Sequence, residues 1–455
     1  MAAGTVNISE KWDSKALFRL LWPLIIEQIL AVTMGAADTV MVSSVGEFAV
    51  SGINIVDNIN NLLIITFTAL ATGGAVVVSQ YIGRKDSQNA SLASRQLVYI
   101  VTGISLVIMV FTVFLRRPII SLLYGKIEND VMDAASIYFM ITALSYPMLA
   151  IYNACAALFR AVGNSKVTMR IALLVNVMNI GGNAFLIYVL KIGVAGAAIS
   201  TLLCRTVAAA ILMGMLIRNQ RGTITLAGLS KVRLIPSMVR NILNVGIPSG
   251  IESSMFQVGR LLTQRIFTTF GTMAMAANAI AGVINSFSFM PGTAYGIALL
   301  TVVGQCVGAG DYGAARKQTA KIMKLCYFTI FIMSVGIYIF MEPLVNLFSL
   351  SQEAHDLAKS FLRVHCISMA IGWSMSFALP NALRAAGDAK YVMLAATVSM
   401  WTVRVSFAYI LTFAVGLGPV GVWLAMGADF VSRGIAYLTR WLGRRWEGKK
   451  VIEDG

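Results

Sequence analysis

The sequence has little charge and few residues of the kinds that form metal or redox sites. Only 12% of its 455 residues are charged, whereas 58% are hydrophobic, so it lacks the polar surface of a soluble protein. The two histidines and five cysteines show neither metal-site spacing nor a disulfide framework. We recognise no phosphate-binding glycine loop and no nucleophile paired with a base, and no loop is long enough for a nucleotide-binding domain. We therefore expect no enzyme activity and no cofactor.

Long apolar runs dominate the chain instead. A bilayer core of about 30 Å requires about 20 residues of helix, because every backbone polar group must be bonded within the segment. The sequence therefore predicts an all-α integral membrane protein with twelve transmembrane helices. The predicted spans are 17–43, 53–79, 96–115, 136–158, 170–190, 194–217, 241–269, 278–304, 322–341, 361–383, 391–413 and 419–440.

Basic residues are unevenly distributed over the loops and account for the net charge of +16. Most of the 36 lysines and arginines fall in the two termini and in alternate loops between them. Cytoplasmic loops carry this excess, so we place both termini on the cytoplasmic side of the inner (cytoplasmic) membrane of the cell. The charge then fixes topology and contacts anionic lipid, and it forms no single patch for nucleic acid. The basic tail with Trp441 and Trp446 is interpreted as an interfacial anchor.

The second half of the chain repeats the first. An offset of 225 residues aligns Pro23 with Pro248 and Glu27 with Glu252. Six spans return the chain to its starting side, so the two bundles are related by a parallel pseudo-twofold repeat about the membrane normal. The predicted domains are an N-terminal six-helix lobe at 1–217, a cytoplasmic basic linker at 218–240, a C-terminal six-helix lobe at 241–440 and a cytoplasmic tail at 441–455.

Several short motifs carry a resemblance to a known family. They are Pro23, Asp38 and Gly46 near the first span, the loop from Gln80 to Gly83, FRAVG at 159–163, LRAAG at 383–387 and GVAGAA at 193–198. Through them the chain resembles the multidrug and toxic compound extrusion (MATE) family along nearly its whole length.

The resemblance implies a secondary active antiporter. Such proteins export bulky, often cationic and aromatic drugs or toxins in exchange for inward H⁺ or Na⁺. We accordingly expect a small-molecule organic substrate, contact with membrane lipid, no nucleic acid and a monomer. The alternative is a lipid or glycolipid flippase of the same superfamily, although flippases usually carry further helices that this chain lacks.

Asp38 is the first candidate for binding the coupling cation. It lies about 35 Å along the first helix from its cytoplasmic start at 1.5 Å per residue, where a carboxylate requires a cation or a proton. The cation site of the family combines an acid on helix 1, two Asn or Asp one turn apart on helix 5 and a Thr on helix 6, which implies Asp38, Asn179, Asn183 and Thr201 here. The alternative is that the amides only hold the helices together. The choice between H⁺ and Na⁺ stays open, and no other metal is expected.

The second lobe lacks this site in the sequence. At the same offset Thr263 replaces Asp38 and Arg404 replaces Asn179. Arg404 is interpreted either as a tethered positive charge paired with Asp429 or, equally, as part of a plain structural ion pair.

Two carboxylates follow the prolines of the first and seventh spans. Glu27 and Glu252 either line a central cleft and attract cations or pair with an intramembrane arginine such as Arg260. Pro23 and Pro248 each remove a backbone bond and are predicted hinges. Thioethers and rings suit varied ligands. The predicted substrate-binding residues are Glu27, Glu252, Met34, Met255, Phe256, Arg260, Asn285, Met290 and Tyr295.

Overall fold

The computed structural model describes residues 11–125, 127–219, 222–348 and 350–452, and nearly all of them are helical. We number the long helices in chain order and give the parts of each interrupted helix together. They are α1 Ser14–Ser43, α2 Glu47–Gly83, α3 Ser87–Tyr124, α4 Asn129–Leu144 with Tyr146–Ala161, α5 Ser165–Asn183 with Ala184–Val189, α6 Val194–Arg218, α7 Pro236–Thr268, α8 Gly271–Gly308, α9 Tyr312–Ile339, α10 Gln352–Ser368 with Met369–Ala378 and Leu379–Ala385, α11 Ala389–Ser399 with Met400–Val405, Ser406–Tyr409 and Ile410–Ala414, and α12 Val420–Leu442.

These helices correspond to the twelve predicted spans. Within the described ranges, nine helices are long and apolar enough to cross a membrane, and the bent pair that forms α4 makes ten. The remaining two, α7 and α12, are as long, but α7 carries Glu252, Arg260 and Arg265, and α12 carries Asp429 and Arg433. The predicted all-α membrane fold is confirmed.

Several helices depart from regular α geometry. The two parts of α4 meet at Ser145 at an angle of 47°. The segments Ala184–Val189 in α5 and Met400–Val405 in α11 are π-helical, as are the middle of α10 and the end of α11. A π segment is rare and frequently marks a functional site. One of these segments begins directly after Asn183 and another contains Arg404, so both adjoin candidate residues.

One compact unit comprises Trp22–Ile247. In it, α2 packs against α3 and both parts of α4. The approach of α2 to the start of α7 is so close that a Cβ added at Gly73 would lie 2.4 Å from the carbonyl oxygen of Ile242. A glycine is therefore required at this crossing.

The basic linker belongs to the same unit because it is hydrogen-bonded to α3. The side chain of Gln96 donates to the carbonyl of Arg233 at 2.7 Å and accepts from the backbone N–H of Ile235 at 3.0 Å. The hydroxyl of Tyr99 donates to the carbonyl of Leu229 at 2.8 Å. The linker is thus anchored to the first repeat.

The other compact unit comprises Met1–Leu21 and Pro248–Gly455, as far as these are described. Within it, α8 packs against α9 and α10, and α12 packs along the π-helical part of α10. A Cβ added at Gly372 would lie 3.0 Å from the carbonyl carbon of Phe430, which shows how closely α10 and α12 approach.

The C-terminal tail is folded onto this second unit. The rings of Trp441 and Trp446 stack at 4.1 Å, and both are buried. Lys449 donates to Asp388 at 2.8 Å, and Glu447 pairs with Arg316. The interpretation of the two tryptophans as an interfacial anchor is wrong, because the protein itself buries their rings.

The compact units divide the chain differently from the predicted domains. The division falls inside α1, between Leu21 and Trp22, and inside α7, between Ile247 and Pro248. It therefore passes beside both predicted hinge prolines instead of at the ends of the linker. The predicted domains also include residues 1–10, 220–221 and 453–455, which lie outside the described residues.

Candidate functional site

The structure brings Asp38 of α1 against the amides of α5. The Nδ2 of Asn183 donates to the Oδ1 of Asp38 at 2.6 Å and lies 3.4 Å from the Oδ1 of Asn179. Asn183 is 1% exposed, and its own Oδ1 has no hydrogen-bond partner in the described part of the chain. A buried oxygen without a donor, beside a carboxylate, is a suitable ligand for a small cation.

Thr201 does not join this hydrogen-bonded group. Its hydroxyl donates to the carbonyl of Ala197, one turn earlier in α6, at 3.0 Å. The neighbouring Ser200 instead reaches α5, where it donates to the carbonyl of Asn179 at 3.2 Å. Thus α6 contributes a hydroxyl to α5, but from the residue before the one that the resemblance implied.

A second carboxylate and an arginine lie near Asp38. Asp57 and Arg205 are both close enough to interact electrostatically with it. Asp57 accepts from the hydroxyl of Tyr138 at 3.2 Å, and Arg205 donates to Ser145 at 2.7 Å. Two carboxylates and one guanidinium give this interior a net charge of −1, which one monovalent cation would neutralise.

The two glutamates that follow the prolines each hold an arginine. The Oε1 of Glu27 accepts from Arg160 at 2.8 Å, and its Oε2 accepts from Thr168 at 2.7 Å. The Nη2 of Arg384 lies 2.7 and 2.6 Å from the two oxygens of Glu252. The alternative of pairing is therefore realised, with the arginines of the FRAVG and LRAAG motifs as partners instead of Arg260.

Both ion pairs are nearly inaccessible to solvent, which predicts a cost for breaking either one. Glu252→Gln should lower the free energy of unfolding by about 3 kcal/mol, because it leaves the guanidinium of Arg384 uncompensated. Unfolding in detergent can be followed with a thiol-reactive fluorophore, since all five cysteines are free and buried. The exposed Glu353→Gln is the control; equal unfolding of the two variants would contradict a stabilising pair.

The equivalent place in the second unit contains a cluster of charged residues. The Nη1 of Arg404 lies 3.8 Å from the Oδ2 of Asp429, so the predicted pair is confirmed, although Arg433 approaches the same oxygen more closely, at 3.3 Å. Ser399 donates to the other oxygen at 2.7 Å. The guanidinium of Arg404 lies 5.0 Å from the centre of the Phe256 ring.

A cavity of about 390 Å³ lies within this second unit. Its walls come from α7, α8, α11 and α12. Of the predicted substrate-binding residues, Arg260 and Asn285 line it, whereas Met34, Met255, Phe256, Met290 and Tyr295 do not. Other residues that line it include Thr263, Gln264, Asn278, Phe289, Arg404 and Trp423.

Sequence reasoning missed the partners that connect different helices. Asp57, Tyr138 and Arg205 were not predicted at the cation site, and Arg433 was not predicted beside Asp429. Asp57 and Arg205 were recognisable as ionisable residues at membrane depth, and this signal alone could have drawn attention to them.

Comparison with known proteins identifies the family. The MatE family model matches residues 23–185 and again residues 248–410, and the second match begins and ends 225 residues after the first. The chain belongs to the MatE family. Both six-helix halves therefore carry the MatE pattern, as the offset within the sequence predicted.

MatE proteins of known structure share this fold. The chain is 29% identical to the uncharacterized transporter YisQ of Bacillus subtilis, over 95% of this chain and 94% of YisQ. It is 25% identical to the probable multidrug resistance protein NorM of Thermotoga maritima, over 96% and 94% of the respective chains. A solved outward-facing structure of a multidrug resistance MATE family transporter superposes with a TM-score of 0.87 over 97% of both chains, at 19% identity.

Proposed function

We propose that this MatE transporter is a secondary antiporter that exports bulky aromatic compounds from the cell in exchange for inward H⁺ or Na⁺. The observation that carries the proposal is the group around Asp38, in which a carboxylate and an unpartnered amide oxygen face each other inside the first unit. The cation would bind between them, and Asn179 would hold the amide of Asn183 in place.

The charge of this interior supports coupling to one cation per cycle. Asp38 and Asp57 together exceed Arg205 by one negative charge, and entry of H⁺ or Na⁺ would cancel it. A membrane potential of 100 mV contributes about 2.3 kcal/mol for each charge that moves inward. This energy sustains a substrate gradient of about fifty-fold.

Coupling further requires the cation and the exported compound to favour different conformations, because a ligand that binds two states equally shifts neither. Pro23 and Pro248 lie within α1 and α7, at the places where the division between compact units passes. We propose these prolines as the hinges, with both chain termini in the cytoplasm and the monomer as the working unit.

The identity of the driving ion follows from a transport experiment. Vesicles that contain the purified protein and ethidium, a bulky aromatic cation, are given an inward H⁺ gradient or an inward Na⁺ gradient separately. We expect one gradient to accelerate ethidium efflux about tenfold, corresponding to about 1.4 kcal/mol of driving free energy. The acceleration should disappear with nigericin for H⁺ or monensin for Na⁺.

Protein-free vesicles provide the control for leakage. Efflux that proceeds at one rate with either gradient and without any gradient would show that no cation is exchanged. The proposed function would then be wrong.

A further inference from the structure

The cavity in the second unit occupies the position that the cation group occupies in the first. At the offset of 225 residues, Thr263 corresponds to Asp38, Arg404 to Asn179 and Met426 to Thr201. All three of these second-unit residues line the cavity. The same place in the repeat thus holds a carboxylate in one unit and a guanidinium in the other.

The charge around this cavity is positive. Arg404 interacts electrostatically with Asp429, Arg433 and Arg260, so three guanidinium groups surround one carboxylate. The other buried carboxylates of the described second unit are already engaged. Glu252 pairs with Arg384, and Asp388 pairs with Arg440 and Lys449.

Two of the arginines present unused donors. The Nε and Nη1 of Arg404 make no hydrogen bond within the described residues, although this side chain is only 6% exposed. No carboxylate among those residues forms an ion pair with Arg260, which lies on the cavity wall. Buried donors without acceptors are costly, and an anion in the cavity would satisfy them.

Rings form the apolar part of the wall and are held by their neighbours. Trp423 stacks on Phe361 with centroids 5.6 Å apart and donates its indole N–H to Asn278 at 3.2 Å. Phe289, also on the wall, stacks on Trp373. The volume of about 390 Å³ falls in the usual range for small-molecule sites.

We propose that this cavity binds an organic anion, and specifically a carboxylate attached to an aromatic ring. The carboxylate would lie between Arg260 and Arg404, since a guanidinium matches a carboxylate with two parallel hydrogen bonds. The ring would lie against Trp423 and Phe289. The transporter would therefore accept anionic or zwitterionic compounds in addition to the cations that the family resemblance implied.

Binding to this site does not depend on the proposed antiport, although export of such an anion would rest on it. Calorimetry on the full-length protein in neutral detergent can compare three ligands with one ring system: 1-naphthoate, 1-naphthalenemethanol and 1-naphthylmethylammonium. We expect 1-naphthoate to bind at least about tenfold more tightly than the alcohol, with the ammonium compound weakest.

Two arginines of α7 provide a matched pair of variants. Arg260→Gln should weaken 1-naphthoate binding about tenfold, the effect of losing one charge-assisted hydrogen bond. Arg265→Gln removes the same charge from the same helix but does not line the cavity, so its affinity should equal that of the unmodified protein.

Three results would overturn the inference. They are equal affinities for 1-naphthoate and the alcohol, equal losses in the two variants, and binding of dihexanoyl phosphatidylglycerol in place of 1-naphthoate, which would make the site one for lipid headgroups. Ethidium efflux without any response to a gradient, together with 1-naphthoate binding that depends on Arg260, would refute the antiport but leave this site intact.

Discussion

Replacing Asp38 by Asn should abolish gradient-driven efflux while the protein stays folded. The substitution keeps the size of the side chain and its ability to accept from Asn183, but it removes the excess negative charge. Asp57 and Arg205 then balance each other, and neither a proton nor Na⁺ is attracted. We expect ethidium efflux under either gradient to fall to the rate of protein-free vesicles.

Matched variants separate coupling from folding. Asp38→Glu retains the charge and should preserve part of the gradient-driven efflux. Asp130→Asn makes the same chemical change at an exposed position at the start of α4 and should have no effect. Labelling of the five buried cysteines should be as slow in Asp38→Asn as in the unmodified protein. Efflux that still responds to a gradient in this variant would refute the assignment of the cation site.

Replacing Asp429 by Asn should give the largest loss of stability in the second unit. Its carboxylate is completely buried and is the one counter-ion of both Arg404 and Arg433 within the described residues. Removing one partner of a buried ion pair costs about 3–5 kcal/mol, and two arginines lose their partner here. We expect about 5 kcal/mol, measured as the change in the free energy of unfolding from cysteine labelling in denaturant.

A double variant tests whether charge is the reason. Adding Arg433→Gln to Asp429→Asn removes one of the uncompensated charges and should recover about 2 kcal/mol. Asp356→Asn, an exposed acid of α10, controls for the chemical change and should alter stability by less than about 0.5 kcal/mol. Strictly additive effects of the two buried substitutions would exclude a direct interaction between them.

Local periodicity and the internal repeat made much of the fold predictable. Twelve apolar runs and one offset were sufficient to predict the helices and the two halves, because lipid demands long helices and a duplicated sequence keeps its register. The contact between Asp38 and α5 could be expected because Asn179 and Asn183 lie one turn apart on one face. Its role in binding a cation stays a prediction.

The contacts between distant helices could not be derived in this way. Glu27 and Arg160 are 133 residues apart, and the sequence placed the arginine in a loop where it would cap a helix end or meet lipid phosphate. That interpretation is wrong for Arg160 and Arg384, because both guanidinium groups are held by glutamates. The burial of Trp446 and the cavity beside Arg404 likewise depend on packing between helices, which no single segment encodes.

The opposite interior charges of the two units have a practical consequence for handling the protein. A dissolved salt supplies two ions, and each would find its counter-charge in a different half: Na⁺ near Asp38, and a small anion such as chloride near Arg404. A ligand that binds only the folded state stabilises it in proportion to the logarithm of its concentration. Purification buffers should therefore be optimised for the anion and the cation independently, since a choice that preserves one half leaves the other unprotected.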